Sequence, residues 1–177
     1  MKKIVYYVAC SLDGYVAGPK GDSSMFVKKG SVATRYKEEI SDFDSVMMCR
    51  QTYEFGYGYG LQAGQPACAG KVHYIFSNSL VFKSPHPDVH VVAPAVENIN
   101  ALKQESGSNI YFCGGGPFAG WLLENGLIDT LKLRVNPVII GSGTTLFGSS
   151  AATARMELLE SVTCDGGVQI NEYRILK

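Results

Sequence analysis

The chain reads as an α/β fold: a mixed, mostly parallel central sheet with helices on both faces and a C-terminal antiparallel hairpin. Three observations lead there. Short apolar runs alternate with helix-like stretches over the first two-thirds, which implies parallel pairing through crossovers. A strand-like run, three glycines and a helix-like run follow one another in IYFCGGGPFAGWLLENG, residues 110–126. The chain closes with two strand-like runs joined at Asp165-Gly166-Gly167, a hairpin signal. The 177 residues, 46% of them hydrophobic, suit one compact domain spanning 1–177. Neither an internal repeat nor a linker divides it.

The elements follow in order. Residues 2–9, KKIVYYVA, predict a buried first strand, and CSLDGYVAG (10–18) and GPKGDSS (18–24) a loop. Ser31 is placed to cap a helix running to Ile40. Asp44–Cys49 is a second strand, and Arg50–Phe55 a helix start ended by GYGYG within a flexible loop, 56–70. Lys71–Ser77 and Val89–Val92 are further strands. Residues 94–106 form a helix with Ala95, Ile99 and Leu102 on one face. Ile110–Cys113 is the strand before the glycines. Pro117 fits a helix's first turn, Phe118, Trp121 and Leu122 recur at helical spacing, and Gly126 is a left-handed stop. In Leu127–Ile140 a long strand alternates Leu131, Leu133 and Val135 with Lys132, Arg134 and Asn136. Arg155–Cys164 and Val168–Leu176 are the hairpin strands.

Sixteen basic and sixteen acidic side chains give a formal net charge of zero without a basic patch. Nucleic acid and anionic membrane are therefore not the expected partners, and a small-molecule substrate is. The N-terminal stretch lacks a signal-peptide pattern, and no apolar run reaches membrane-span length. Five cysteines, odd in number and without a CxxC pair, read as reduced thiols of a cytoplasmic protein. No ligand pair has metal-site spacing, so no metal is expected.

Three strand ends carry polar or glycine-rich chemistry where ligands of open α/β sheets bind. Gly114, Gly115 and Gly116 before a helix start supply open backbone and orphan N–H groups, an anion site. The other reading is a tight turn. Arg50 can clamp a phosphate with Gln51 and Thr52, or it can pair with Glu54 one helical turn on. Ser77 and Asn78 are short donors, or turn residues. Asp13 of SLDG is the acid expected nearest the pocket, to bind substrate or relay a proton; its other reading is an Asp-Gly turn. Tyr57 and Tyr59 either cover a pocket or lie exposed.

Four motifs in order, KIVYYVACSLDGYVAG, VMMCRQTYE, IYFCGGGPFAGWLLENGLIDTLKLRVNPVIIGSGTTLF and the final hairpin, resemble the dihydrofolate-reductase-like superfamily over nearly the whole chain. The branch most similar contains the reductase domain of bacterial riboflavin biosynthesis. The resemblance implies a three-layer dihydrofolate-reductase-like fold and an NADPH-dependent reductase of a pterin- or pyrimidine-like heterocycle, as a homodimer. It places Ala9, Val16 and Ala17 beside the nicotinamide. Arg50, Gln51, Thr52, Ser77 and Asn78 would stand around the adenosine phosphates, with Arg50 near the 2′-phosphate. Gly115, Gly116, Pro117 and Phe118 would lie along the pyrophosphate and nicotinamide ribose. True dihydrofolate reductases carry an acid on the first helix; here Val32-Ala33-Thr34 stands there, so dihydrofolate is not the expected substrate. Cys49 replaces a usual glycine. Two alternatives stay open: the ribosylaminopyrimidine reductase of riboflavin synthesis, whose often-fused deaminase zinc motif is missing from this sequence, and a nucleotide-binding protein without turnover.

Overall fold

The computed structural model describes residues 1–176. Among them the order is β1 (Ile4–Ser11), β2 (Tyr15–Ala17), α1 (Ser31–Ser41), β3 (Ser45–Cys49), α2 (Arg50–Phe55), β4 (Val72–Phe76), β5 (Val89–Val92), α3 (Val96–Gln104), β6 (Ile110–Phe112), α4 (Gly116–Glu124), β7 (Thr130–Asn136), β8 (Thr144–Thr145), β9 (Arg155–Thr163) and β10 (Gln169–Leu176). Eight strands form one sheet, ordered β5-β4-β3-β6-β1-β7-β10-β9. From β5 to β7 neighbours run parallel, while β10 is antiparallel to both β7 and β9. Strands β2 and β8 make a separate small antiparallel ladder.

Strand alternation sorts the core into two layers. Ile4, Tyr6, Met47 and Phe112 pack with Ile99 and Leu102 of α3 and Ala119 and Leu122 of α4. Val5, Tyr7, Val46 and Tyr111 point the other way, onto Tyr36 and Ile40 of α1 and Tyr53 of α2. Each such fully buried side chain contributes about 1.5–3 kcal/mol. The three-layer fold is as the sequence predicts.

Three local readings need correction. The loop over 10–18 holds a short strand, because Tyr15 and Ala17 find partners in Thr145 and Thr144 far along the chain. Gly30, not Ser31, is the α1 cap; Ser31 instead exchanges hydrogen bonds with Asp165 of the hairpin turn, its N–H donating to Oδ2 and its Oγ accepting from the Asp165 N–H, both at 2.9 Å. The 56–70 stretch is packed rather than splayed out: Leu61 lies against the core, and the Tyr53 hydroxyl donates to Gln65 O at 2.6 Å. Strand β7 is central, so Lys132 and Asn136 are buried, while Leu133, Arg134 and Val135 keep partial exposure.

The sheet forks. Strand β1 pairs with the short β6 only from Ile4 to Tyr6, but with β7 from Val5 to Ser11. The segment after β6 stays with β3: the Cys113 N–H donates to Met47 O at 3.1 Å, and the Cys49 N–H to Gly114 O at 3.0 Å. Beyond Tyr6, β1 leaves with β7, and a cleft opens at the carboxyl ends of the parallel strands.

Candidate active site

A cavity of about 730 Å³ fills this fork, a size that suits a cofactor and a small substrate. Val8 and Ala9 of β1 line it, with Val16 and Ala17 of β2, Gln51 and Thr52 of α2, and the stretch Gly114 to Pro117 that starts α4. Lys20, Phe26, Val27 and Lys28 come from the loop before α1, Tyr36 from α1, and Arg134 from β7. Its lining holds three cationic side chains, Lys20, Lys28 and Arg134, and no carboxylate. Lys20 adopts φ +58°, an uncommon backbone for a residue other than glycine, on the wall of this cavity.

The glycines have separable tasks. Gly114 takes φ +133° and joins Gly115 through a cis peptide bond. At Gly116 a side chain would meet Thr145 O at 2.1 Å. That glycine therefore lets the segment 144–150 press onto α4, and the tight-turn reading holds alongside open backbone at the cavity. Gly115 and Gly116 line the cavity with Pro117 at the start of a nine-residue helix, whose first N–H groups have no intrahelical partner.

Of the thirteen positions singled out in the sequence, Ala9, Val16, Ala17, Gln51, Thr52, Gly115, Gly116 and Pro117 are brought together around this one cavity. The rest stand off its lining. Arg50, beside Gln51, is exposed; its Nε donates to Glu54 Oε1 at 2.7 Å and its Nη1 to Ser79 Oγ at 3.2 Å. Ser77 Oγ accepts the N–H groups of Ser79 and Leu80 in the turn after β4, and Asn78 is exposed. Phe118 packs between Phe76, Phe112 and Trp121 in the core layer.

Asp13 is an anchor rather than a cavity wall. Its carboxylate accepts the N–H of Gly141 at 2.7 Å and of Ile140 at 3.1 Å, tying the loop after β1 to the loop after β7. Ser11 foremost, with those N–H groups, holds the Asp13 carboxyl below its ordinary value. Tyr57 and Tyr59 lie outside the lining, Tyr59 largely exposed. Burial pushes the Cys113 thiol up, so this cavity residue is not a nucleophilic thiolate.

The sequence reading missed Arg134 and Tyr36. Alternation along Leu127–Ile140 gives Arg134 only as a polar position of the strand. Only the placement of β7 between β1 and β10 turns it into the cavity.

The RibD C-terminal domain model matches residues 2–170. The chain belongs to the RibD C-terminal domain family. It is 28% identical over 179 residues to the uncharacterized protein YwjB of Bacillus subtilis (strain 168), covering 98% of each chain. Its fold matches that of a putative riboflavin biosynthesis protein from Shewanella sp. PV-4, with TM-score 0.81, 23% identity and full coverage of both chains. It also matches a dihydrofolate reductase from Enterococcus faecalis complexed with NADP(H), with TM-score 0.69 and 13% identity over 99% of this chain and 97% of that one.

Proposed function

We propose that this member of the RibD C-terminal domain family is an NADPH-dependent reductase of a small planar heterocycle, acting in the cytoplasm. The observation that carries the reading is the fork itself. One cavity, lined by eight of the expected cofactor positions and by three cations without a carboxylate, opens where β1 parts from β6. The residues fit a polyanionic dinucleotide. Gly115, Gly116 and Pro117 would hold the pyrophosphate at the α4 start, with Gln51 and Thr52 beside it. Ala9, Val16 and Ala17 would wall the nicotinamide.

When bound, the cofactor supplies a hydride. The chain's own residues then have three tasks. The apolar walls from Val8, Phe26 and Val27 exclude water around the acceptor. The flanking strands hold donor and acceptor in one orientation. The proton that completes the reduction would come from solvent or from a lysine ammonium of the lining, Lys20 or Lys28, since no carboxyl group lines the cavity.

Among the readings the sequence left open, the lack of an acid on the cavity wall favours a substrate other than dihydrofolate. The exposed β9 edge, with Met156, Leu158 and Leu159 bare, supports pairing of two copies.

The test is a titration with NADPH and with NADH, followed by nicotinamide fluorescence, in the wild type and in Arg50→Ala. Saturable NADPH binding, weaker for NADH and about 10–100-fold weaker in the variant, is expected from loss of one charge-assisted phosphate contact. Absence of binding by either cofactor overturns the reductase reading. Unchanged affinity in Arg50→Ala removes Arg50 from the 2′-phosphate. Tight binding without oxidation across a panel of pterins and pyrimidines would favour a nucleotide-binding protein without turnover.

A further inference from the structure

Strand β7 puts two cations on one face, and they are treated differently. Lys132 is neutralised twice, by Glu39 Oε1 at 3.0 Å and by Glu172 Oε2 at 2.9 Å. Arg134, two residues on, has no ion pair among the described residues. Its guanidinium carbon sits 3.9 Å from the Tyr36 ring centroid and 5.6 Å from that of Tyr7. Its Nε is buried without a hydrogen-bond partner.

A half-buried guanidinium held only by two aromatic faces has unspent donor capacity. The rings offset part of its desolvation, but they accept none of its hydrogen bonds in the plane of the fork. On α1, Glu39 pairs through Oε1 with Arg35 and Lys132, and its Oε2 is buried without a hydrogen-bond partner. The ring under Arg134 is fixed in turn, since the Tyr36 and Tyr111 hydroxyls lie 2.6 Å apart. Arg134 therefore stands as a preorganised fork on the wall of a cavity that Phe26, Val27 and the small Ala33 also line. A fork of this geometry matches a carboxylate bidentately.

We propose that Arg134 is the specificity-determining residue of this cavity, and that the substrate is a planar ring bearing a carboxylate or equivalent pair of anionic oxygens. The inference rests on the reductase reading only in naming the occupant a substrate. The same wall disfavours a protonated amidine-bearing ring, because such a ring needs a carboxylate partner and would meet Arg134 instead.

Three pyrimidines make the test: orotate, which carries a ring carboxylate; uracil, which lacks it; and 2,4-diaminopyrimidine, which presents an amidine edge. Their binding is measured calorimetrically on the wild type, Arg134→Met and Arg134→Lys, with and without saturating NADP⁺. The wild type is expected to prefer orotate to uracil by about 10–100-fold, the value of a charge-assisted bidentate contact. Arg134→Met should abolish that preference and leave uracil affinity unchanged. Arg134→Lys, which keeps the charge but not the fork, should retain only part of it, and it carries the test if the methionine variant fails to fold. Diaminopyrimidine binding as tight as orotate, an orotate preference surviving in both variants, or no orotate binding to the wild type would each overturn the proposal. Cofactor titration of the same wild-type protein is scored separately. An Arg134-dependent orotate preference without NADPH binding leaves this inference standing and removes the reductase reading.

Discussion

Replacing Gly120 with alanine tests how α4 is held. Helix propensity alone favours the change by about 1 kcal/mol, since glycine is a poor interior helix residue. The structure opposes it. The added methyl would stand 2.3 Å from Phe147 O and 2.7 Å from Ser150 Cβ, about an ångström inside ordinary van der Waals contact. The obstacle is backbone, which cannot rotate aside. It is also tethered: the Tyr6 hydroxyl donates to Leu146 O at 3.0 Å, the Leu146 N–H to Gly14 O at 2.9 Å, and Thr145 Oγ1 to Gly148 O at 2.7 Å. Overpacking of this kind costs about 1–3 kcal/mol. After the propensity gain, a net loss of up to about 2 kcal/mol is expected, or up to about 4–8 °C in Tm for a chain of this size. The lone tryptophan, Trp121, is the next residue, so urea unfolding can be followed by its fluorescence. Gly58→Ala is the control, because nothing lies within 4 Å of its added carbon. A Gly120→Ala midpoint above the wild type, at unchanged m-value, would refute the close-packing argument.

Two further outcomes follow from buried polar groups. His73 is fully buried; as the tautomer with Nδ1–H facing Lys71 O at 2.8 Å, its Nε2 accepts the Cys68 N–H at 3.1 Å, so only the neutral ring satisfies both. Burial lowers its pKa below 6.5, so the unfolded chain binds the proton first as pH falls. Stability is therefore full above about pH 6.5 and declines below it by at most ~1.4 kcal/mol per pH unit, a slope that His73→Gln should flatten in urea titrations across that window. Lys103, its side chain 4% exposed, meets Asp129 Oδ2 at 2.6 Å, and that oxygen also accepts the Ile4 N–H at 2.9 Å. Lys103→Met should cost about 3–5 kcal/mol by chemical denaturation, with part of the loss recovered in Lys103→Met/Asp129→Leu; equal stability of the single variant would refute the pairing argument.

What was legible in the sequence is what local pattern encodes. Apolar runs such as IVYYVA and SVMMC marked the inner strands, and Asp165-Gly166-Gly167 marked the hairpin. Most of the cavity-lining positions singled out, from Ala9 to Pro117, came through motifs, since they lie at strand ends and helix starts. What escaped depends on distant partners. The β2–β8 ladder has two or three residues per strand, too short for any period to show. Whether Asp13 served chemistry or a turn stayed open in the sequence, because the N–H groups that donate to it, from Ile140 and Gly141, lie over a hundred residues away. Lys132, Arg134 and Asn136 stood only as the polar positions of an alternating strand, because alternation reports polarity, not position. Inside a sheet covered on both sides the same residues become an ion pair, a stacked guanidinium, and an amide donating to Cys10 O at 3.3 Å.

The unequal lengths of β6 and β1 leave the sheet mechanically split above Tyr6, with the Gly114 segment travelling with β3 and the Ala9 segment with β7. Anything lodged between them touches both prongs and acts as a splint, replacing the rungs that the short strand omits. Occupancy then stiffens the whole upper half of the molecule rather than one loop. Amide hydrogens of Val8 to Ser11 and of the Gly114 stretch should slow their exchange together, as a single cooperative unit, when the cleft is filled.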